Sequence, residues 1–336
     1  MDVRRSAPVA GVRSEPVLIL GGSGFIGTRL TALLTAQQVP VRIGDLRPSK
    51  AFPELWTPCD VRRQKTLSEA ARGAGAIVNL AAEHRDDVRP LSRYRETNVD
   101  GATQVCRAAR NAGINKIVFT SSVAVYGFHP YPVDESGPLE PYNIYGKTKL
   151  EAESVYRTWA GEDPSRTLVI VRPSVVFGEG NRGNIYTLMR QIAVGHFLMA
   201  GSGKNLKSMA YVGNVAAFLA HTLGLGVGVH VFNYVDRPDM STKELVEFIR
   251  RSLGRPVKTS RIPLPVALAA GYLMDVAARL SGRKFPVSAV RVRKFCANTQ
   301  FAAELAGQSG FSPPYSLSEG LKRTIQFEFP VNSVQL

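Results

Sequence analysis

Tyr145 and Lys149 stand four residues apart in Tyr145-Gly-Lys-Thr-Lys149, so on a helix the phenol and the ammonium share one face. A free phenol, with a pKa of about 10, is a poor base at neutral pH. A neighbouring ammonium stabilises the phenolate and lowers that value, which suits proton exchange with a substrate hydroxyl. The spacing alone is common on surface helices. Ser122 gives it weight, because it closes the apolar run Lys116-Ile-Val-Phe-Thr-Ser-Ser122, and a hydroxyl at the carboxyl end of a buried strand can hydrogen-bond the same substrate oxygen.

A second group of residues suits a phosphate. Val17-Leu-Ile-Leu-Gly-Gly-Ser-Gly-Phe-Ile-Gly27 reads as strand, turn and helix, the helix continuing through Thr28-Arg-Leu-Thr-Ala-Leu-Leu34. Gly21, Gly24 and Gly27 would let the backbone turn tightly and approach a pyrophosphate, with Phe25 and Ile26 opening the helix whose N–H groups face it. Asp45 closes the next apolar run, 18 residues after Gly27, where a carboxylate receives the adenosine ribose hydroxyls and repels a 2′-phosphate. The expected cofactor is therefore NAD, with Arg47 as the one nearby residue that favours NADP.

Apolar strands and amphipathic helices alternate around these residues. Leu67 to Ala71, Ala76 to Ala82, a helix from Asn98 to Ala112 ended by Gly113, a helix from Tyr145 to Trp159 and a strand from Thr167 to Val171 predict a parallel sheet with right-handed crossovers. Beyond Pro173 the alternation weakens and glycines multiply. The expected organisation is an extension over 1–15 without stable structure, a dinucleotide-binding domain over 16–177 and a smaller lobe over 178–330.

The 336 residues carry 42 Lys and Arg against 27 Asp and Glu, a net charge of +15. Nucleic acid, anionic lipid and phosphorylated substrates all suit that excess. Nucleic acid is disfavoured, since the basic region lacks interleaved aromatics and a recognisable reading motif. Cys59, Cys106 and Cys296 are widely spaced and odd in number, which argues against a disulfide framework or a bound metal and fits a reducing, cytoplasmic compartment. The first 15 residues lack a signal-peptide apolar stretch, and no uninterrupted apolar run reaches the roughly 18 residues of a membrane span.

Gly21-Gly-Ser-Gly-Phe-Ile-Gly27, Thr120-Ser-Ser-Val-Ala-Val-Tyr-Gly127 and the Tyr145/Lys149 pair resemble the extended short-chain dehydrogenase/reductases, in their sugar epimerase and dehydratase branch. The resemblance spans about residues 16 to 330. It implies an α/β fold with a Rossmann-type doubly wound parallel sheet and a smaller C-terminal substrate lobe. It also implies Ser122, Tyr145 and Lys149 as the catalytic set. Asp60 and Val61 would contact the adenine, and Leu80-Ala81-Ala82, Asn98 and Pro173 would line the cofactor. The 4,6-dehydratases of the branch carry adjacent Asp and Glu after the catalytic hydroxyl. Val123 and Ala124 stand there instead, which disfavours water elimination.

Ala82-Glu-His-Arg-Asp-Asp-Val88, Asn181-Arg-Gly-Asn-Ile-Tyr186, Lys207-Ser-Met-Ala-Tyr-Val-Gly-Asn214 and Val290 to Phe301 are similar to the bacterial epimerases that act on N-acetylglucosaminyl-diphospho-undecaprenol in surface-polysaccharide (O-antigen) assembly. That similarity implies reversible C4 inversion through a 4-keto sugar on a lipid-linked diphospho-sugar. His84, Arg85, Ser122, Ser174, Arg182, Asn184 and Lys207 are the implied substrate-binding residues, Lys207 at a phosphate-binding position with Lys204 nearby. Two other readings stay open: a soluble UDP-sugar epimerase or NAD(P)H-dependent ketoreductase, and a catalytically silent dinucleotide-binding scaffold.

Residues 251–294 hold ten Lys and Arg against Asp275 alone, more than half of the whole excess. They flank an apolar helix expected over 265–281. Such a helix is either interfacial, lying on an anionic leaflet as a peripheral contact at the inner face of the cytoplasmic membrane, or buried in the substrate lobe. A homodimer is compatible with the sequence.

Overall fold

The computed structural model describes residues 15–85, 88–257, 260–281 and 288–330. The expected extension over 1–15 lies, except for Glu15, outside them. The chain opens with β1 (Val17–Leu20), α1 (Phe25–Ala36), β2 (Val41–Asp45), β3 (Trp56–Pro58), α2 (Gln64–Ala71) and β4 (Ala76–Asn79). It continues through α3 (Ser92–Arg95), α4 (Gly101–Ala112), β5 (Lys116–Thr120), α5 (Ile144–Gly161) and β6 (Thr167–Pro173). The second half runs β7 (Val175–Phe177), α6 (Asn184–Ala193), β8 (Met199–Ala200), β9 (Leu206–Tyr211), α7 (Val212–Thr222) and β10 (Gly228–Tyr234). Then come β11 (Asp236–Ser241), α8 (Thr242–Ser252), β12 (Arg261–Ile262), α9 (Leu264–Ser281), α10 (Ala289–Cys296), α11 (Glu304–Gln308) and α12 (Leu317–Glu328).

Seven strands form one parallel sheet in the order β10-β6-β5-β4-β1-β2-β3, the doubly wound arrangement expected. Strands β1, β4 and β6 are buried along their whole length, as strands covered by helices on both faces must be. Leu18, Leu20, Phe119, Tyr156 and Trp159 pack on one face, and Val17, Ile19, Val118, Val171 and Phe218 on the other. The order reverses between β1 and β4, and ligands of such sheets sit outside the carboxyl ends of the strands at that switch.

Two boundaries differ from expectation. The helix predicted from Asn98 begins earlier: α3 runs through a π-helical turn, Glu96–Asp100, into α4, and Gly113 closes it at φ 69°. The change of lobe at Gly178 is also not a single crossing. β7, before Gly178, already pairs with β9 in a three-stranded sheet with β11. After it, α7 packs on α1 and β10 adds the seventh strand beside β6. A further core cluster gathers Phe177, Met189, Tyr211, Leu245, Tyr315 and Leu321, with Phe25 and Ile26 of α1 packed against it, and capping boxes at Ser241/Glu244 and Ser316/Glu319 start α8 and α12.

Candidate active site

Helix α5 lies across the end of β5 so that three side chains one turn apart meet three consecutive residues. Tyr145 is hydrogen-bonded to the Ser122 side chain, Lys149 Nζ donates to the Thr120 carbonyl at 2.7 Å, and Glu153 Oε1 accepts from Ser121 Oγ at 2.5 Å. Asn143 caps the helix, its Oδ1 accepting from the Gly146 N–H at 2.8 Å. Gly146 allows the approach: a Cβ there would lie 2.3 Å from the Ala124 carbonyl oxygen, in the turn that follows Ser122.

Burial governs the protonation of this face. It pushes the Tyr145 phenol up to about 12, with Ser122 opposing, and the Lys149 ammonium down to about 7, with the Glu153 carboxylate opposing. In the polypeptide alone, loss of solvent dominates at Tyr145; the expected depression needs the Lys149 ammonium together with a cationic nicotinamide.

Beneath the face lies a buried polar network that periodicity did not reveal. Arg172 on β6 donates to both Glu153 oxygens, at 2.9 and 2.5 Å, and to Tyr126 Oη at 2.6 Å; Tyr126 in turn donates to Asn233 on β10. Glu153 could have been found as the next residue, at i+4, on the stripe of Tyr145 and Lys149. Nothing in the sequence singles out Arg172, which sits inside an otherwise apolar strand.

The glycine turn is built as expected. Gly21 has φ +75° and would place a Cβ 2.8 Å from the Ala81 nitrogen. A Cβ on Gly27 would lie 2.5 Å from the Gly22 Cα. Phe25 and Ile26 open α1 beside Gly24. Asp45 ends β2 and accepts from the Ser23 and Arg47 N–H groups, both at 3.1 Å. Asp60 is engaged by Arg62, through Nε at 2.9 Å and Nη2 at 2.8 Å, which holds its carboxyl below the usual range. Val61 is buried beside it. Leu80, Ala81 and Ala82 follow β4 at the switch point, where the Asn79 side chain accepts from Ala81 N–H. Asn98 Oδ1 accepts from Glu83 N–H and its Nδ2 donates to Glu83 O and Thr148 Oγ1, so its amide fixes the course of the chain beyond Ala82. Pro173 ends β6, and the buried hydroxyls of Thr120 and Ser174 have no hydrogen-bond partner among the described residues.

The expected substrate residues are scattered. His84 and Arg85 are exposed beyond Ala82; residues 86–87 of that block lie outside the described ones. Arg182 is paired with Glu328 at 2.8 Å and stacked on Tyr186 at 4.3 Å, and Asn184 starts α6 in an exposed position. Burial pushes the Lys207 ammonium down to about 8, and it donates to the carbonyls of Lys294 at 3.0 Å and Ala297 at 2.6 Å. Both cations are therefore occupied by the protein, Arg182 by a carboxylate and Lys207 by the C-terminal end of α10. A cavity of about 580 Å³ opens near it between Ala200–Gly203, Arg261–Leu264 and Cys296.

Residues 17–233 match the NAD dependent epimerase/dehydratase family, and the chain belongs to that family. A curated relative, the N-acetyl-alpha-D-glucosaminyl-diphospho-ditrans,octacis-undecaprenol 4-epimerase of Escherichia coli O157:H7, is 46% identical over 94% of this chain and 96% of its own length. The UDP-glucose 4-epimerase of Vibrio cholerae is 27% identical over 96% of this chain and 99% of its own. Among solved structures, MoeE5 in complex with UDP-glucuronic acid and NAD superposes with a TM-score of 0.74 at 24% identity, over 93% of this chain and 98% of that one.

Proposed function

We propose that the protein inverts C4 of N-acetylglucosamine carried on diphospho-undecaprenol, giving the N-acetylgalactosaminyl lipid for surface-polysaccharide assembly. The observation that carries this reading is the 46% identity, over nearly both full lengths, to an epimerase of that substrate, in a chain that presents Ser122, Tyr145 and Lys149 together.

The residues present fit NAD. Gly21 and Gly27 leave no room for a Cβ against the backbone of Ala81 and Gly22, which keeps the turn tight at the head of α1, Asp45 ends β2 where ribose hydroxyls are received, and the buried Thr120 and Ser174 hydroxyls have no hydrogen-bond partner among the described residues. Gly21 to Gly27, Asp45, Asp60, Val61, Leu80 to Ala82, Asn98 and Pro173 would hold it. Bound there, NAD supplies the two-electron acceptor that makes a 4-keto sugar reachable.

The chain's own residues handle the proton. Tyr145 exchanges it with the 4-hydroxyl, Ser122 orients that oxygen and donates to it as it becomes a carbonyl, and Lys149, anchored on Thr120, stabilises a phenolate when it is protonated. Val123 and Ala124 offer no acid or base beside them, which disfavours water loss from a keto sugar.

We further place the protein against the anionic inner face of the cytoplasmic membrane. Helix α9 exposes Leu273 by 72%, Val266 by 56% and Val276 by 52%, an apolar surface flanked by cations, which supports the interfacial alternative over burial in the lobe. No helix among the described residues is long and apolar enough to cross a membrane.

The test is to offer the purified protein N-acetylglucosaminyl-diphospho-undecaprenol and UDP-N-acetylglucosamine separately and to assay for the galacto epimer. Conversion of the lipid-linked sugar supports the reading. Conversion of the nucleotide sugar alone overturns it in favour of a soluble epimerase.

A further inference from the structure

An exposed strip of rings and cations runs from the start of the catalytic helix to α9. Phe128 and Tyr142, 48% and 47% exposed, stack with centroids 4.5 Å apart and planes at 28°, just before α5. Lys294, in the last turn of α10, carries Nζ 5.4 Å above the Tyr142 ring. Its neighbour Arg293 lies 5.5 Å over the Tyr272 ring of α9 and donates to the Tyr272 hydroxyl. Tyr272 is itself 49% exposed and continues into Leu273, 72% exposed.

Rings left half in water around two cations present an apolar surface and an anion site together. That pairing matches a prenyl diphosphate: a dianionic or trianionic head joined directly to a branched hydrocarbon. The strip begins at Tyr142, three residues before Tyr145, and reaches α10 through Lys294. Resting on the lipid-linked reading above, we infer that Lys294 and Arg293 receive the substrate's diphosphate and that Tyr142, Phe128 and Tyr272 take its first isoprene units.

The experiment is calorimetric binding to the NAD-loaded protein in detergent-free buffer, using farnesyl diphosphate and inorganic diphosphate as probes. Farnesyl diphosphate is expected to bind the more tightly. Phe128→Ser with Tyr272→Ser should weaken farnesyl diphosphate roughly tenfold, the scale of losing aromatic contacts, and leave inorganic diphosphate unchanged. Lys294→Gln should weaken both. Both rings are exposed, so their removal does not endanger the fold, and a thermal melt confirms it. Equal affinity for the two probes, or wild-type affinity in the double variant, overturns the inference. Farnesyl diphosphate bound as expected by a protein that epimerises only UDP-sugars would overturn the functional reading and leave the prenyl diphosphate strip standing.

Discussion

Glu153 and Arg172 form a two-point ion pair, 2.9 and 2.5 Å long, with side chains only 1% and 2% exposed, one helical turn beyond Lys149. The pair joins α5 to β6 and, through Ser121, to the strand end that carries Ser122 and the Thr120 carbonyl. Removing one member of a buried pair leaves an uncompensated charge and costs about 3–5 kcal/mol. Glu153→Gln and Arg172→Met are each expected to lose stability on that scale in urea denaturation. A double Glu153→Met/Arg172→Met variant should recover much of it and yet remain slow in turnover, because Ser121 has lost its acceptor.

Gly146 offers a sharper contrast. Gly146→Ala drives a Cβ to 2.3 Å from the Ala124 carbonyl, so α5 must shift away from Ser122. Overpacking of this kind costs about 1–3 kcal/mol, and displacement of the phenol should lower kcat on the order of 10²-fold. Gly161→Ala, at the far end of the same helix with nothing within 4 Å of the added Cβ, should leave kcat unchanged.

Lys149 should trade stability for function. Burial holds its pKa near 7, below the ordinary lysine value of 10.5, so between those values the unfolded chain binds more protons than the folded one, and stability rises with pH there. Below that window the folded state carries the full cost of a buried ammonium. Lys149→Met is therefore expected to melt higher than the wild type, with its advantage largest near pH 6 and shrinking toward pH 10, while turnover is lost. An advantage that grows with pH would show that the ammonium, not the neutral amine, is the form the fold favours.

Arg182 and Lys207 separate two kinds of basic residue. Arg182, 60% exposed and paired with Glu328, should tolerate Ala with KM within about twofold and stability within about 1 kcal/mol, the range of exposed pairs. Lys207→Met removes the donor to the Lys294 carbonyl and one of the two donors to the Ala297 carbonyl, which keeps Asn205, so a loss of about 1–3 kcal/mol is expected, together with a raised KM as α10 shifts.

Local rules made the fold legible where they acted alone. The glycine turn, Asp45 at the end of β2 and the Tyr145/Lys149 face follow from steric and periodic constraints that a few adjacent residues impose. The turn into Ser122 and the left-handed Gly113 belong with them. What sequence reasoning missed depends on tertiary company. Arg172 is unremarkable in its strand until Glu153 and Tyr126 close around it. The protein partners of Lys207 and Arg182, the end of α10 and Glu328, lie about 90 or more residues away and were not visible in the sequence. The early start of the helix at Ser92 was hidden for a similar reason, its π-helical turn interrupting the 3.6-residue stripe. And β10 returns to the sheet after the smaller lobe has begun, which no local composition shift announces.

The central claim is C4 inversion with the cofactor retained, and one measurement tests it most directly. Purified protein, without added nucleotide, is given N-acetylglucosaminyl-diphospho-undecaprenol deuterated at C4, and the released sugars are analysed by mass and by linkage. Many turnovers of N-acetylgalactosamine per protein are expected, with the deuterium still at C4. Galacto product that has lost its deuterium to solvent, or turnover that requires added NADPH, would contradict it.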